Sequence, residues 1–224
     1  MTDQEKKKCS DCLLQKMGMD RSFIPDNIRE VRTEKPSLLL HSCCGPCSTS
    51  VVERLAEEFN ITIFFYNPCI TDEEEYKRRK ASQIKFIEAF NNERLDAMNP
   101  TTRGVIHFLE GPYNPGVFLD LCKGFENEPE GGARCSICFR QRLEKTAETA
   151  GMAGCDYFGT TLTVSPHKNY QLISEIGKEI ALKYGLTFLD RDFKKQDGFK
   201  RSIELSKQYG LYRQNYCGCC FSTR

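Results

Sequence analysis

Apolar residues in this chain gather in short runs, separated by longer stretches where they recur every three or four positions. Leu38-Leu39-Leu40 is a compact run of the kind a buried strand makes. ITIFFY at 61–66 is a second, rich in β-branched and aromatic residues. Between them, STSVVERLAEEF predicts a helix, with Ser48 as its cap and Val51, Val52, Leu55 and Phe59 at helical spacing. Thr71-x-x-Glu74 resembles a capping box, opening a charged helix over about 71–90. The periodicity then blurs, and prolines and glycines predict a loop-rich insertion at about 91–134 around VIHFLEG and GVFLDLCKGF. A helix with Cys135 and Cys138 in its first turn is expected to run to about Ala150. DYFGTTLTVSP (156–166) reads as a third strand. Ser165-Pro166 is expected to open the next helix, with His167 and Lys168 in its first turn and Leu172, Ile173, Ile176, Ile180 and Ala181 as its inner stripe. GLTFLDRDF (185–193) is a fourth strand, followed by a helix to about Tyr209 and a cysteine-bearing tail at about 210–224.

This alternation predicts an α/β fold: a mostly parallel sheet of about four to five strands with helices on both faces. The expected organisation is an N-terminal extension (1–36) and a single catalytic α/β domain (37–224). Polar residues gather after several strand ends, where open α/β sheets place ligands. No GxGxxG or GxxxxGK[ST] loop is present.

Composition sharpens this. The run lengths exclude a transmembrane helix, and the charged MTDQEKKKCS start, with no apolar run behind it, gives no sign of a secretory leader. A cytoplasmic protein with no membrane contact is expected. In such a protein, 13 cysteines argue for metal or thiol chemistry over a disulfide framework. Net charge is only +1, yet residues 190–224 hold eight Lys or Arg against four Asp or Glu, a local excess of four. Such a rim suits phosphates, and so does Lys77-Arg78-Arg79-Lys80, although a solvated helix face explains that run equally well.

The cysteines fall in groups: Cys43, Cys44 and Cys47 in the strand-to-helix turn, Cys69 after the second strand, Cys135 and Cys138, and Cys217, Cys219 and Cys220 in the tail. A Cys9-x-x-Cys12 pair lies in the extension. Two close pairs can supply the four thiolates of an iron–sulfur cluster, with zinc as the inorganic rival. Arg134, Arg140 and Arg142 stand close enough in sequence to favour thiolates.

Several motifs in order then carry a family resemblance: His41-Ser-Cys-Cys-Gly-Pro-Cys-Ser48, Tyr66-Asn-Pro68, Glu128-Pro-Glu-Gly-Gly-x-Arg-Cys-x-x-Cys138, Thr160-Thr-Leu-x-x-Ser-Pro-x-Lys168, Asp192-Phe-Lys-Lys195 and Leu211-Tyr-Arg-Gln-x-Tyr-Cys-Gly-Cys219. Together they resemble the cobalamin-independent epoxyqueuosine reductase family, QueH, over nearly all of residues 36–222. The resemblance implies a fold similar to the HUP (nucleotide α-hydrolase-like) sheet. It implies reduction of the epoxide of epoxyqueuosine to queuosine in the tRNA anticodon loop, with electrons from an external donor. It further implies a [4Fe-4S] cluster, on Cys43, Cys44, Cys135 and Cys138, and an additional iron or redox dithiol at Cys47, Cys217 and Cys219. His41, Tyr66 and Tyr216, with His167 and Tyr212, are candidate proton donors. Arg191, Lys194, Lys195, Lys200, Arg201 and Arg213 are candidate phosphate contacts, and Thr160, Thr161 and Ser165 candidate contacts to the modified nucleoside. Cys69, Cys220 and the Cys9/Cys12 pair receive no role from the resemblance. Two other functions remain: an iron–sulfur tRNA thiolase, whose SGGxDS-like loop is replaced here by SCCGPCS, and a zinc-stabilised RNA-binding module without redox activity.

Overall fold

The computed structural model describes residues 35–96 and 105–222. The extension with Cys9 and Cys12 lies outside the described residues but for Lys35 and Pro36. Five parallel strands form one sheet in the order β3-β2-β1-β4-β5. They are β1 (Ser37–His41), β2 (Asn60–Phe65), β3 (His107–Glu110), β4 (Tyr157–Thr160) and β5 (Thr187–Phe188). The helices are α1 (Gly45–Leu55), α2 (Glu73–Asp96), α3 (Pro115–Leu121), α4 (Ala133–Ala153), α5 (Tyr170–Tyr184) and α6 (Gly198–Gln208).

The period-two alternation of strand side chains divides the core. Leu38, Leu40, Ile61 and Ile63 meet Val51, Val52 and Leu55 of α1 and Phe86 and Ile87 of α2. Leu39, Phe64 and Phe158 face the other way, onto Leu143, Ala147 and Ala150 of α4 and Ile173, Ile176 and Ile180 of α5. Central β1 therefore has leucines on both faces, all fully buried, each contributing about 2 kcal/mol. Both faces are covered, as a parallel sheet requires. Among the described residues, no helix is long and apolar enough to cross a membrane.

Tertiary context moved several boundaries. Helix α1 begins at Gly45, ahead of Ser48, so Cys44 is its N-cap and Cys47 lies in its first turn. At α2, Asp72 does the capping: its Oδ1 accepts from the Glu75 N–H at 2.8 Å. Helix α5 starts at Tyr170 under an Asn169 cap, leaving His167 and Lys168 in the preceding loop. The 185–193 run contributes a two-residue strand. The segment expected as loops supplies edge strand β3 and helix α3.

Strand order places a topological switch between β1 and β4, because the chain winds outward from β1 to β3 on one side and from β4 to β5 on the other. Ligands of open α/β sheets bind in the crevice this leaves at the carboxyl ends of the strands. The turn after β1 and the loop after β4 flank that crevice.

Candidate thiol-lined active site

The turn after β1 is held rigidly. Ser42 donates its backbone N–H to Phe64 O (2.9 Å) and its hydroxyl to Gln83 Oε1 (2.7 Å), and Asn67 Nδ2 donates to Ser42 O (2.9 Å). A Cβ at Gly45 would lie 2.5 Å from Ser82 O, so only glycine lets α2 approach this closely. The result gathers Cys43, Cys44 and Cys47, whose sulfurs all lie within 4.8 Å of one another. Burial resists ionisation of Cys44, but hydrogen bonds from Cys43, Cys47 and Gln214 outweigh it and hold this thiol well below its usual pKa. The Gln214 Nε2 lies 3.0 Å from its sulfur. Cys47, the donor in this arrangement, is pushed well above the usual value by its bonds to Cys43 and Cys44. Three soft donors this close together fit a single thiophilic metal ion.

Beside the trio lies a cavity of about 230 Å³, lined by Cys43, Cys47, Cys69 and Cys217 and by Arg79, Arg142, Lys168 and Arg213. A second group of thiols, of which Cys69 and Cys217 line the cavity, comes from three different chain segments. Cys138 donates to Cys69; this bond and the charge of Arg142 bring Cys69 down to about 7 against the cost of burial. Arg142, 2% exposed, places Nη2 3.1 Å from Cys138 Sγ. In the tail, Cys219 and the Lys168 ammonium hold Cys217 well below its usual pKa, with Lys168 Nζ 3.2 Å from its sulfur. Lys168 stays protonated despite burial because that thiolate faces it.

This geometry corrects the expected cofactors. A four-iron cluster on Cys43, Cys44, Cys135 and Cys138 is not assembled. Cys138 turns toward Cys69 and Arg142, while Cys135 Sγ accepts from the Gly131 N–H at 3.1 Å. Cys217 and Cys219 pair with each other, and Cys217 also with Lys168, apart from the group formed by Cys43, Cys44 and Cys47. Among the described residues, Cys43, Cys44 and Cys47 are the one group of three or more potential ligands within reach of a common ion.

The other candidates divide. Tyr216, His167 and Ser165 line the cavity. His41 is fully buried away from it, between Thr160 Oγ1 (3.0 Å from Nδ1) and Tyr66 O (3.1 Å from Nε2). Burial first, then Arg142, depress its pKa to about 4, so it is a neutral imidazole donating from Nε2. Tyr66 stacks on Phe64 and opens toward a separate groove beside α3 and α4. Thr160 is occupied by His41, Thr161 Oγ1 is buried without a partner, and Thr163 donates to Arg191 O. Tyr212 donates to Glu75. Arg191 and Arg201 form ion pairs with Glu58 and Glu53, and Lys194 donates to Lys168 O, whereas Arg213 lines the cavity and is exposed, and Lys200 is exposed on α6. Of the arginines near Cys135, Arg142 faces thiols, Arg140 pairs with Glu179, and Arg134 binds the carbonyls of Phe125, Glu126 and Glu128.

Cys69 stands among the cysteine groups of the sequence but had no role there. Its one available signal was position: it follows β2 as the trio follows β1, on neighbouring strands that end at the same rim.

The family model "Epoxyqueuosine reductase QueH" matches residues 38–224. A protein named epoxyqueuosine reductase QueH from Streptococcus pyogenes is 40% identical over 211 residues, 94% of this chain and 80% of the relative. Its namesake from Staphylococcus epidermidis is 44% identical over 191 residues, covering 84% and 77%. That from Thermotoga maritima is 34% identical over 190 residues, covering 83% and 90%. With the matched span running from the central strand through every thiol of the cavity, this chain belongs to the epoxyqueuosine reductase QueH family.

Proposed function

We propose that this chain reduces the epoxide of epoxyqueuosine at the tRNA wobble position, giving queuosine, in the cytoplasm and with electrons from an external donor. The observation that carries the reading is the family match over residues 38–224. It makes the chain an oxidoreductase of tRNA modification, and the thiol-lined cavity at the sheet's switch point supplies a place for the chemistry. The sheet order supports the narrower likeness to the HUP fold, and residues 37–224 read as one catalytic domain.

The reaction takes up two electrons and two protons, breaks both epoxide C–O bonds, forms the alkene and releases water. A thiophilic metal ion held by Cys43, Cys44 and Cys47 would act as Lewis acid toward the epoxide oxygen. The chain's own residues handle charge and protons. Lys168 presents a protonated ammonium to developing oxyanion charge, and Tyr216 and His167 are the proton donors with access to the cavity. Burial raises the Tyr216 pKa, so its phenol keeps its proton until a stronger base is formed. His41, with both ring nitrogens engaged, fixes the ends of β1, β2 and β4 and moves no proton. Cys217, which lines the cavity, and its hydrogen-bonded neighbour Cys219 would serve as a redox dithiol.

A cavity of this volume suits one splayed nucleoside from a single-stranded loop, not a paired stem. Arg213 at the cavity and exposed Lys200 on α6 take flanking phosphates. The test is anaerobic incubation with epoxyqueuosine-containing tRNA and a strong chemical reductant, followed by mass analysis of the released nucleosides. Loss of epoxyqueuosine matched by gain of queuosine supports the reading; no conversion by metal-loaded protein rejects it. Metal and acid-labile sulfide are measured on the same preparation. About one metal ion without sulfide fits the three-thiol site. Stoichiometric sulfide would overturn the single-ion assignment.

A further inference from the structure

Arg79 belongs to the basic run at 77–80, yet it is 1% exposed and lines the cavity wall. Its neighbours behave as surface residues: Lys77 pairs with Glu73 and Glu74, and Lys80 with Glu110. Arg79 is therefore no phosphate contact. We propose that it is a positioning residue that seats the C-terminal segment, and with it the Cys217 thiol, over the cavity. The inference stands on the geometry of the tail and holds for whatever substrate the cavity takes.

The guanidinium uses both of its edges. Nε donates to Glu75 Oε1 at 2.6 Å, one turn earlier on α2, so the cation is paired where it is buried. Nη1 and Nη2 donate to the carbonyls of Cys217 (2.9 Å) and Tyr216 (3.2 Å), and the Tyr216 ring lies 5.3 Å from the guanidinium carbon. The other Glu75 oxygen accepts from the Tyr212 hydroxyl at 2.7 Å, so one buried pair grips the tail at two points. Next to Cys217, Gly218 has φ +102°, and a Cβ there would meet both Nη atoms at 3.0 Å. Its carbonyl accepts from the Thr71 N–H at 3.2 Å. Cys217 is thus fixed from opposite sides, its carbonyl by Arg79 and its sulfur by Lys168. A lysine at 79 would keep the charge but has no planar fork to bridge a carboxylate and two successive carbonyls.

The test is residue-resolved alkylation of the full-length, reduced chain, read by peptide mass analysis. In Arg79→Lys and Arg79→Met, Cys217 should label about tenfold faster than in the wild type, the scale of one lost charge-assisted hydrogen bond. In Arg79→Lys, which keeps the positive charge that Cys43 and Cys44 face, Cys43 and Cys47 should keep their rates. Guanidinium ion added to Arg79→Ala should slow Cys217 labelling again, which a merely loosened fold would not show. Unchanged Cys217 labelling, or an equal rise at every thiol, would overturn the proposal. If the Arg79 variants fail to fold, Gly218→Ala and Tyr212→Phe carry the same test, and a rise confined to the tail thiols supports it while no rise refutes it. Turnover plays no part, so a failure here leaves the proposed reaction standing, and the converse holds.

Discussion

Two groups of cysteines meet at one cavity and are built in opposite ways. Cys43, Cys44 and Cys47 come from one turn, and helix geometry with the Gly45 contact to α2 brings their sulfurs together. Cys69, Cys138, Cys217 and Cys219 come from three distant segments and meet only because the sheet, α4 and the tail converge. The first group makes its thiolate by sharing protons among its own members, with help from Gln214. The second depends on two buried cations, Arg142 and Lys168. A locally built site suits a metal ion, which needs several donors at fixed spacing. One assembled around cations suits thiolates that remain charged in a dry wall.

The largest expected effect breaks the first group. Cys44→Ala removes the sulfur that both neighbours donate to, so bound metal and epoxyqueuosine turnover should both fall by at least about 100-fold, read by elemental analysis and nucleoside mass analysis. Next comes the cation of the second group. Arg142→Met leaves buried thiolates without their counter-charge, and should cost about 3 kcal/mol in urea unfolding at neutral pH while the trio retains its metal.

His41, beneath the trio, sharpens the contrast through pH. Its folded pKa of about 4 lies below the unfolded 6.5, so between these values the unfolded chain binds the extra proton. Its contribution is complete above pH 6.5 and is lost as pH falls to about 4, a swing of about 3 kcal/mol. His41→Asn should flatten the urea midpoint across that window. The smallest effect is at Cys69. Its pKa is depressed from 9.0 to about 7 while Cys138 is raised, so the pair adds stability as pH rises from 7 to 9 and gives it back above 9. Cys69→Ser should remove an alkylation step with its midpoint near 7 and change turnover by less than about tenfold.

Much of the fold was legible. Leu38–Leu40 and ITIFFY could only be buried strands, and the stripe from Leu172 to Ala181 marked the inner face of α5. Edge strand β3 was hidden because HFLE is short and only Leu109 in it is fully buried. At the site, the turn announced the trio, but spacing could not say which thiols share a centre. Cys135 and Cys138 share a helix turn, yet the first accepts from a backbone N–H and the second faces Arg142.

The sequence by itself determined the parallel α/β plan, the thiol-bearing turn at its first strand and the family, because those rest on short-range pattern and ordered motifs. Tertiary structure alone decided that Cys69 joins the cavity, that His41 stays neutral, that Arg79 leaves the phosphate-facing rim and that Cys138 serves a second group. Each depends on how burial and opposite charge combine between segments far apart in the chain, and no local spacing encodes that distance.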